Sequence, residues 1–166
     1  MQTTEVWQRG PLPGFDPYLM PVAHSFLQVA EDLESLATRV PDDQAWQRPN
    51  GAASIGFHIR HLAGSTDRLL TYARGEALTS DQLAAARTEA DGSGPLRSIV
   101  DEARAALDRA LEQIRTTPPD TLLSVRTVGR ARLPSTTLGL LVHAAEHATR
   151  HMGQAITTAR ILAGDT

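Results

Sequence analysis

The 166-residue sequence predicts an all-α fold, a four-helix bundle with a long connection between its third and fourth helices. Three observations carry this. Apolar residues recur at spacings of three and four over four separate stretches, the period of a helix that buries one face. Capping and helix-breaking residues stand where those stretches begin and end. Only residues 121–135 show a strand-like pattern, and no repeat or heptad array appears.

Residues 1–17 read as an irregular N-terminal arm, since Gly10, Pro11, Pro13, Gly14 and Pro17 crowd into it. Residues 18–166 read as one domain. Its first helix carries Leu19, Val22, Phe26, Val29, Leu33, Leu36 and Val40 on one face and stops at Pro41. Trp46 follows in a loop with Pro49, Asn50 and Gly51, where an aromatic ring plugs the end of a core. Ser54 caps a second helix that runs to Arg74 before Gly75, with Ile55, Ile59, Leu62, Thr66, Leu69 and Ala73 as its stripe. A short helix from Asp81 to Ala90, capped by Ser80, comes next. Pro95 suits the first turn of the third long helix, which reaches Arg115 and is stopped by Pro118 and Pro119. The segment around Val125, Thr127 and Val128, with a second stretch to Leu133, permits a small hairpin or an extended loop. Thr136 or Thr137 caps the last helix, Leu138 to Leu162.

Composition removes several functions. Sixteen basic residues, all Arg, face 19 acidic ones, so the net charge of -3 leaves no surplus for a nucleic-acid-binding face. Cys is absent, which removes disulfides, thiolate nucleophiles and Cys-ligated zinc. No apolar run approaches the ~20 residues a membrane span needs. Met1 to Glu5 does not read as a signal peptide, so the expected compartment is the cytoplasm.

The six histidines all fall on helices: His24 on the first, His58 and His61 on the second, His143, His147 and His151 on the last. Two histidines at i and i+4 can share one metal ion, because their nitrogens converge one turn apart. At ~100° per residue, His147 and His151 sit within ~40° of the row formed by Leu140, Ala144 and Leu162, at the edge of the buried arc. His143 lies further round, beside Glu146 and Arg150, and reads as half exposed. On the second helix, His58 is nearer the apolar stripe and His61 on its flank; the pattern leaves the choice between them open. His143-Ala144-Ala145-Glu146-His147 also matches the inverted zinc-protease motif, but too little chain follows His147 for that family's further ligand, and Glu146 can pair with Arg150 instead.

Ser54-Ile55-Gly56-Phe57-His58-Ile59-Arg60-His61-Leu62-Ala63 and Glu146-His147-Ala148-Thr149-Arg150-His151-Met152-Gly153-Gln154 resemble the second- and fourth-helix signatures of the DinB-like (DinB/YfiT-like) metalloenzymes. The resemblance extends from about Leu19 to Leu162. It implies a four-helix bundle with a three-histidine site, which falls on His61, His147 and His151. It also implies a divalent ion such as zinc or nickel, a thiol-dependent transferase or isomerase chemistry that uses a low-molecular-weight thiol, and frequent dimerisation. Met152 departs from the family's usual Arg.

The expectation is therefore a metal-dependent thiol S-transferase acting on a small-molecule substrate, with a non-catalytic metal-binding module or a metal-dependent hydrolase as alternatives. Gln154, one turn below His151, is the candidate contact for the site's cofactor, and Gly153 would allow a close approach. Leu27, Leu107 and Leu111 lie close to or outside the narrow seam a small bundle needs, which adds a reason to expect a homodimer.

Overall fold

The computed structural model describes residues 4–164. Met1, Gln2 and Thr3, on which the signal-peptide reading partly rests, and the last two residues of the 18–166 span lie outside it. Among the described residues, five α-helices and a two-stranded sheet, besides short 3-10 turns, carry the fold: α1 Met20–Ala37, α2 Ile55–Ala73, α3 Ser80–Thr88, α4 Leu96–Thr116, β1 Val125–Val128, β2 Leu133–Thr136 and α5 Thr137–Ala163. No described helix is long and apolar enough to cross a membrane.

Local chemistry accounts for the helix starts. Ser54 accepts from the Phe57 amide and Thr136 from the Gly139 amide, each satisfying a first-turn N–H that has no partner inside the helix. The short helix begins one residue earlier than Ser80 predicts, because Thr79 and Gln82 form a reciprocal capping box. Gly164, in the left-handed conformation, ends α5.

The four long helices form a ring in which α1 and α2 each pack on both α4 and α5. Their directions follow from bonds between them. His58 meets His151 while Thr137 reaches the Ala73 carbonyl, so α2 and α5 run antiparallel. Arg60 reaches the Ser93 carbonyl and Gln113 the Leu70 carbonyl, so α2 and α4 run parallel. Glu34 pairs with Arg97, which sets α1 antiparallel to α4.

This arrangement explains the connections. Because α2 and α4 are parallel, the chain must return along their whole length, and α3 lies on that return path. Helices that follow directly in sequence, α4 and α5, sit across the ring from each other, so their connection has to cross its end. The crossing is structured: Val125 to Val128 pair antiparallel with Thr136 to Leu133, and the buried Leu122 anchors the approach. Arg126 ties the hairpin down by donating to the Ala73 carbonyl at 2.7 Å.

The N-terminal arm is docked rather than loose. A turn of 3-10 helix, Val6–Arg9, buries Val6 and rests on α1. The Val6 amide donates to Gln28 and Arg9 pairs with Glu31. Leu107 and Leu111 are buried within the chain, and Leu27 packs partly buried against the same core. The apolar surplus that suggested a second subunit is absorbed inside one chain, because the ring seals α4 on two sides.

Trp46 plugs the end of the core as its loop position suggests. Its ring lies against the bare backbone of Gly56 and Gly92, its Nε1 donates to the Gly94 carbonyl at 3.0 Å, and Arg60 covers its face at 4.7 Å. A Cβ at Gly56 would stand 2.7 Å from the indole, inside any tolerated contact. Gly56→Ala is therefore expected to destabilise the fold by ~1–3 kcal/mol through overpacking, read as a lowered urea midpoint with an unchanged slope.

Candidate metal centre

Two helical spacings build the site. His58 and His61 are three apart on α2, His147 and His151 four apart on α5, and antiparallel packing lays the pairs against each other. One donor atom from each of His61, His147 and His151 lies within 4.8 Å of the others. Ring centroids are 4.5 Å apart for His61 and His151, 4.5 Å for His147 and His151, and 5.1 Å for His61 and His147. Tetrahedral ligands at ~2.1 Å from one ion stand ~3.4 Å apart, so small ring rotations would close the group around one. All three rings are partly exposed, which leaves the group reachable from outside.

The second nitrogen of each ring is spoken for. His61 Nδ1–H donates to Glu89 Oε2 at 2.7 Å. Ser65 Oγ donates its proton to the Leu62 carbonyl, so at 3.1 Å it accepts from His147 Nδ1–H. His151 Nδ1 lies 3.0 Å from His58 Nδ1, and one of the two donates to the other. If His151 donates, all three rings carry their proton on Nδ1 and keep a lone pair on Nε2. That is how metal-binding imidazoles are usually oriented, by a partner on the far nitrogen.

Burial disfavours protonation of three of these histidines. Burial, followed by the nearby His61, His147, His58 and Arg150, pushes His151 down to about 4. Burial, then His61, His143 and Arg150, also hold His147 below the ordinary histidine range. Burial and His61 do the same for His58. Burial alone would raise Glu89, but hydrogen bonds from His61 and Arg68 outweigh it and keep the carboxylate ionised. The three histidines thus form a group that could hold a metal ion.

The structure sorts the remaining histidines. His58, the nearer of the two α2 histidines to the apolar stripe, is 7% exposed and meets His151. His143 is exposed, stands 3.5 Å from Glu146, and is outside the triad. Glu146 also pairs with Arg150 on that outer face, so the protease-like motif does not form a site of its own. Gln154 is exposed, with no hydrogen bond to the triad among the described residues. No described residue packs closely on Gly153: a Cβ there would meet nothing within 4 Å. Met152 is 1% exposed and packs in the core, so its position does not present a side chain at the open face.

Sequence reasoning did not find Glu89, Ser65 or the stacked Phe57. Ser65 had a signal, since it lies four residues after His61 on the same face. Phe57 stacks on His61 at 5.3 Å with 12° between the planes and walls one side of the group. Glu89 had no local signal; only the return path of the chain brings it to α2.

Two outcomes follow from the hydrogen bonds and the proton balance. Ser65→Ala should weaken zinc binding by ~10- to 100-fold, measured by competition with a chromophoric chelator. In apoprotein, the unfolded His151 side chain takes up a proton near 6.5 whereas the folded one resists until about 4. Stability from this group is thus complete above pH 6.5 and lost as pH falls toward 4. A thermal melt series should show Tm falling across that window, and more shallowly in His151→Ala.

Comparison with known proteins agrees with this geometry. Two crystal structures share the fold. A conserved protein from Enterococcus faecalis superposes with a TM-score of 0.72 and 16% identity, covering 89% of this chain and 98% of its own. A DinB-like protein from Bacillus cereus ATCC 10987 gives a TM-score of 0.63 and 17% identity, over 84% and 91%. No curated protein matches the chain. The family model of the DinB superfamily matches residues 25–155, which include all three triad histidines, and the chain belongs to the DinB superfamily.

Proposed function

We propose that this chain is a divalent-metal-dependent enzyme built on a four-helix bundle, with zinc or nickel held by His61, His147 and His151. Its reaction is transfer of a low-molecular-weight thiol to or from a small-molecule substrate. The observation that carries the metal reading is the triad itself: three histidines with one donor atom each within 4.8 Å of the others, and each with its Nδ1 engaged by a different partner. Among the described residues the group has three members, not the four that close a structural zinc site. That count favours a site that takes an external ligand over a purely structural one.

A bound divalent ion supplies Lewis acidity that lowers the pKa of a coordinated thiol or water. The chain's own contribution is orientation. Glu89, Ser65 and His58 each engage the Nδ1 of one ring, Phe57 gives the open face an apolar wall, and burial holds His147 and His151 below the ordinary histidine range. The chain has no Cys, so sulfur chemistry at this site needs a second molecule to bring the thiol. Gln154, exposed on α5 three residues beyond His151, is proposed to contact that molecule and not the ion. Among basic groups on the same helix, Arg150 stands on the exposed side, whereas position 152 faces the core.

Protein purified without a nickel column should carry about one divalent ion per chain by elemental analysis, and His151→Ala should carry none. Stoichiometric metal in the variant would contradict the triad. A panel of small thiols with electrophilic acceptors should show conjugation that chelator abolishes; metal binding without any conjugation would leave the centre standing and remove the transferase reading.

A further inference from the structure

We propose that Glu89 is a positioning residue for His61, delivered to the metal centre by the α3 segment acting as a clasp; this rests on the metal reading above. The clasp is unusual in what holds it. Helix α3 contains no buried residue, and its main packing partner is α2. Its attachments are polar and spread along its length. Near its start, Gln82 Nε2 donates to Asp67 Oδ2 at 2.6 Å and to Thr71 Oγ1 at 2.8 Å. At its end, Glu89 accepts from His61 at 2.7 Å and from Arg68 at 2.6 Å. Just beyond, Arg60 donates to the Asp91 and Ser93 carbonyls at 2.9 and 2.8 Å. On the side toward α4 lies an open groove of about 650 Å³, lined in part by Ala85, Thr88 and Glu89 from this segment and by Ala103 and Ala106 from α4.

A segment with no apolar burial stays folded only while its polar attachments hold, and belongs to the low-stability part of a structure. Glu89 is the exception within it, at 8% exposure. The α2 backbone is cut away to receive it: a Cβ at Gly64 would stand 2.3 Å from Glu89 Oε1. Gly64 lies in a helix interior, where glycine is otherwise unfavourable. The fit of Glu89 against it gives that glycine a reason. One carboxylate thus joins a metal ligand to the clasp, and coupling between the two must be reciprocal. An ion that fixes the His61 ring steadies the clasp, and a seated clasp steadies the ring.

The test uses the full chain with zinc alone as the probe, comparing wild type with Glu89→Gln and Gly64→Ala. The second variant keeps the carboxylate and improves helix propensity, but displaces Glu89 from its seat. Zinc should slow amide hydrogen exchange across residues 80–91 in wild type and have no such effect in either variant. Both variants should bind zinc ~10- to 100-fold more weakly, while apo Gly64→Ala melts no lower than wild type. Wild-type affinity in both variants, or bound zinc with unchanged exchange over 80–91, would overturn the clasp and leave the triad intact. Absence of zinc binding in wild type would overturn the metal reading and the clasp together.

Discussion

The antiparallel packing of α2 against α5 is the constraint on which the rest depends. It is the most extensive helix pairing in the chain. Small buried residues, among them Ala144, Ala145, Ala148 and Ala155, lie on α5 with His147 and His151. The packing of α2 on α5 brings one donor atom from each of His61, His147 and His151 within 4.8 Å of the others.

Partial burial of the triad has a consequence for every group around it. Burial disfavours the charged form of His147 and His151 and keeps their lone pairs available. The Nδ1 of each ring also meets a partner: a carboxylate, a hydroxyl and another imidazole. The carboxylate in turn needs a cation, since a buried Glu left unpaired would be costly. Arg68 supplies it from two turns beyond His61 on α2. The arrangement is a chain of obligations that starts at the helix interface and ends at the surface.

Ring order governs what the sequence could reveal. Helix starts, helix stops and the paired spacing of His147 and His151 are local, and local patterns state them directly. The choice between His58 and His61 is not local. Both lie within one turn of α2, and only the rotation of that helix against α5 assigns one to the triad and the other to its support. Glu89 is further from view still, because it approaches only on the return path that parallel α2 and α4 impose. The same ring order explains Leu107 and Leu111: a seam drawn for one helix pair counts them as surplus, whereas α4 in the ring is covered by both α1 and α2. The connection before α5 is long because it crosses the ring's end, and a chain crossing an open end gains by pairing with itself, hence the hairpin.

The central claim is that three imidazoles, from two helices, hold one ion with room for a further ligand. X-ray absorption on zinc-loaded protein tests it most directly. Three imidazole nitrogens at ~2.0–2.1 Å are expected, plus at least one oxygen or sulfur ligand that changes when a small thiol is added. A shell of four protein ligands that ignores added thiol, or one with fewer than three imidazoles, would contradict it.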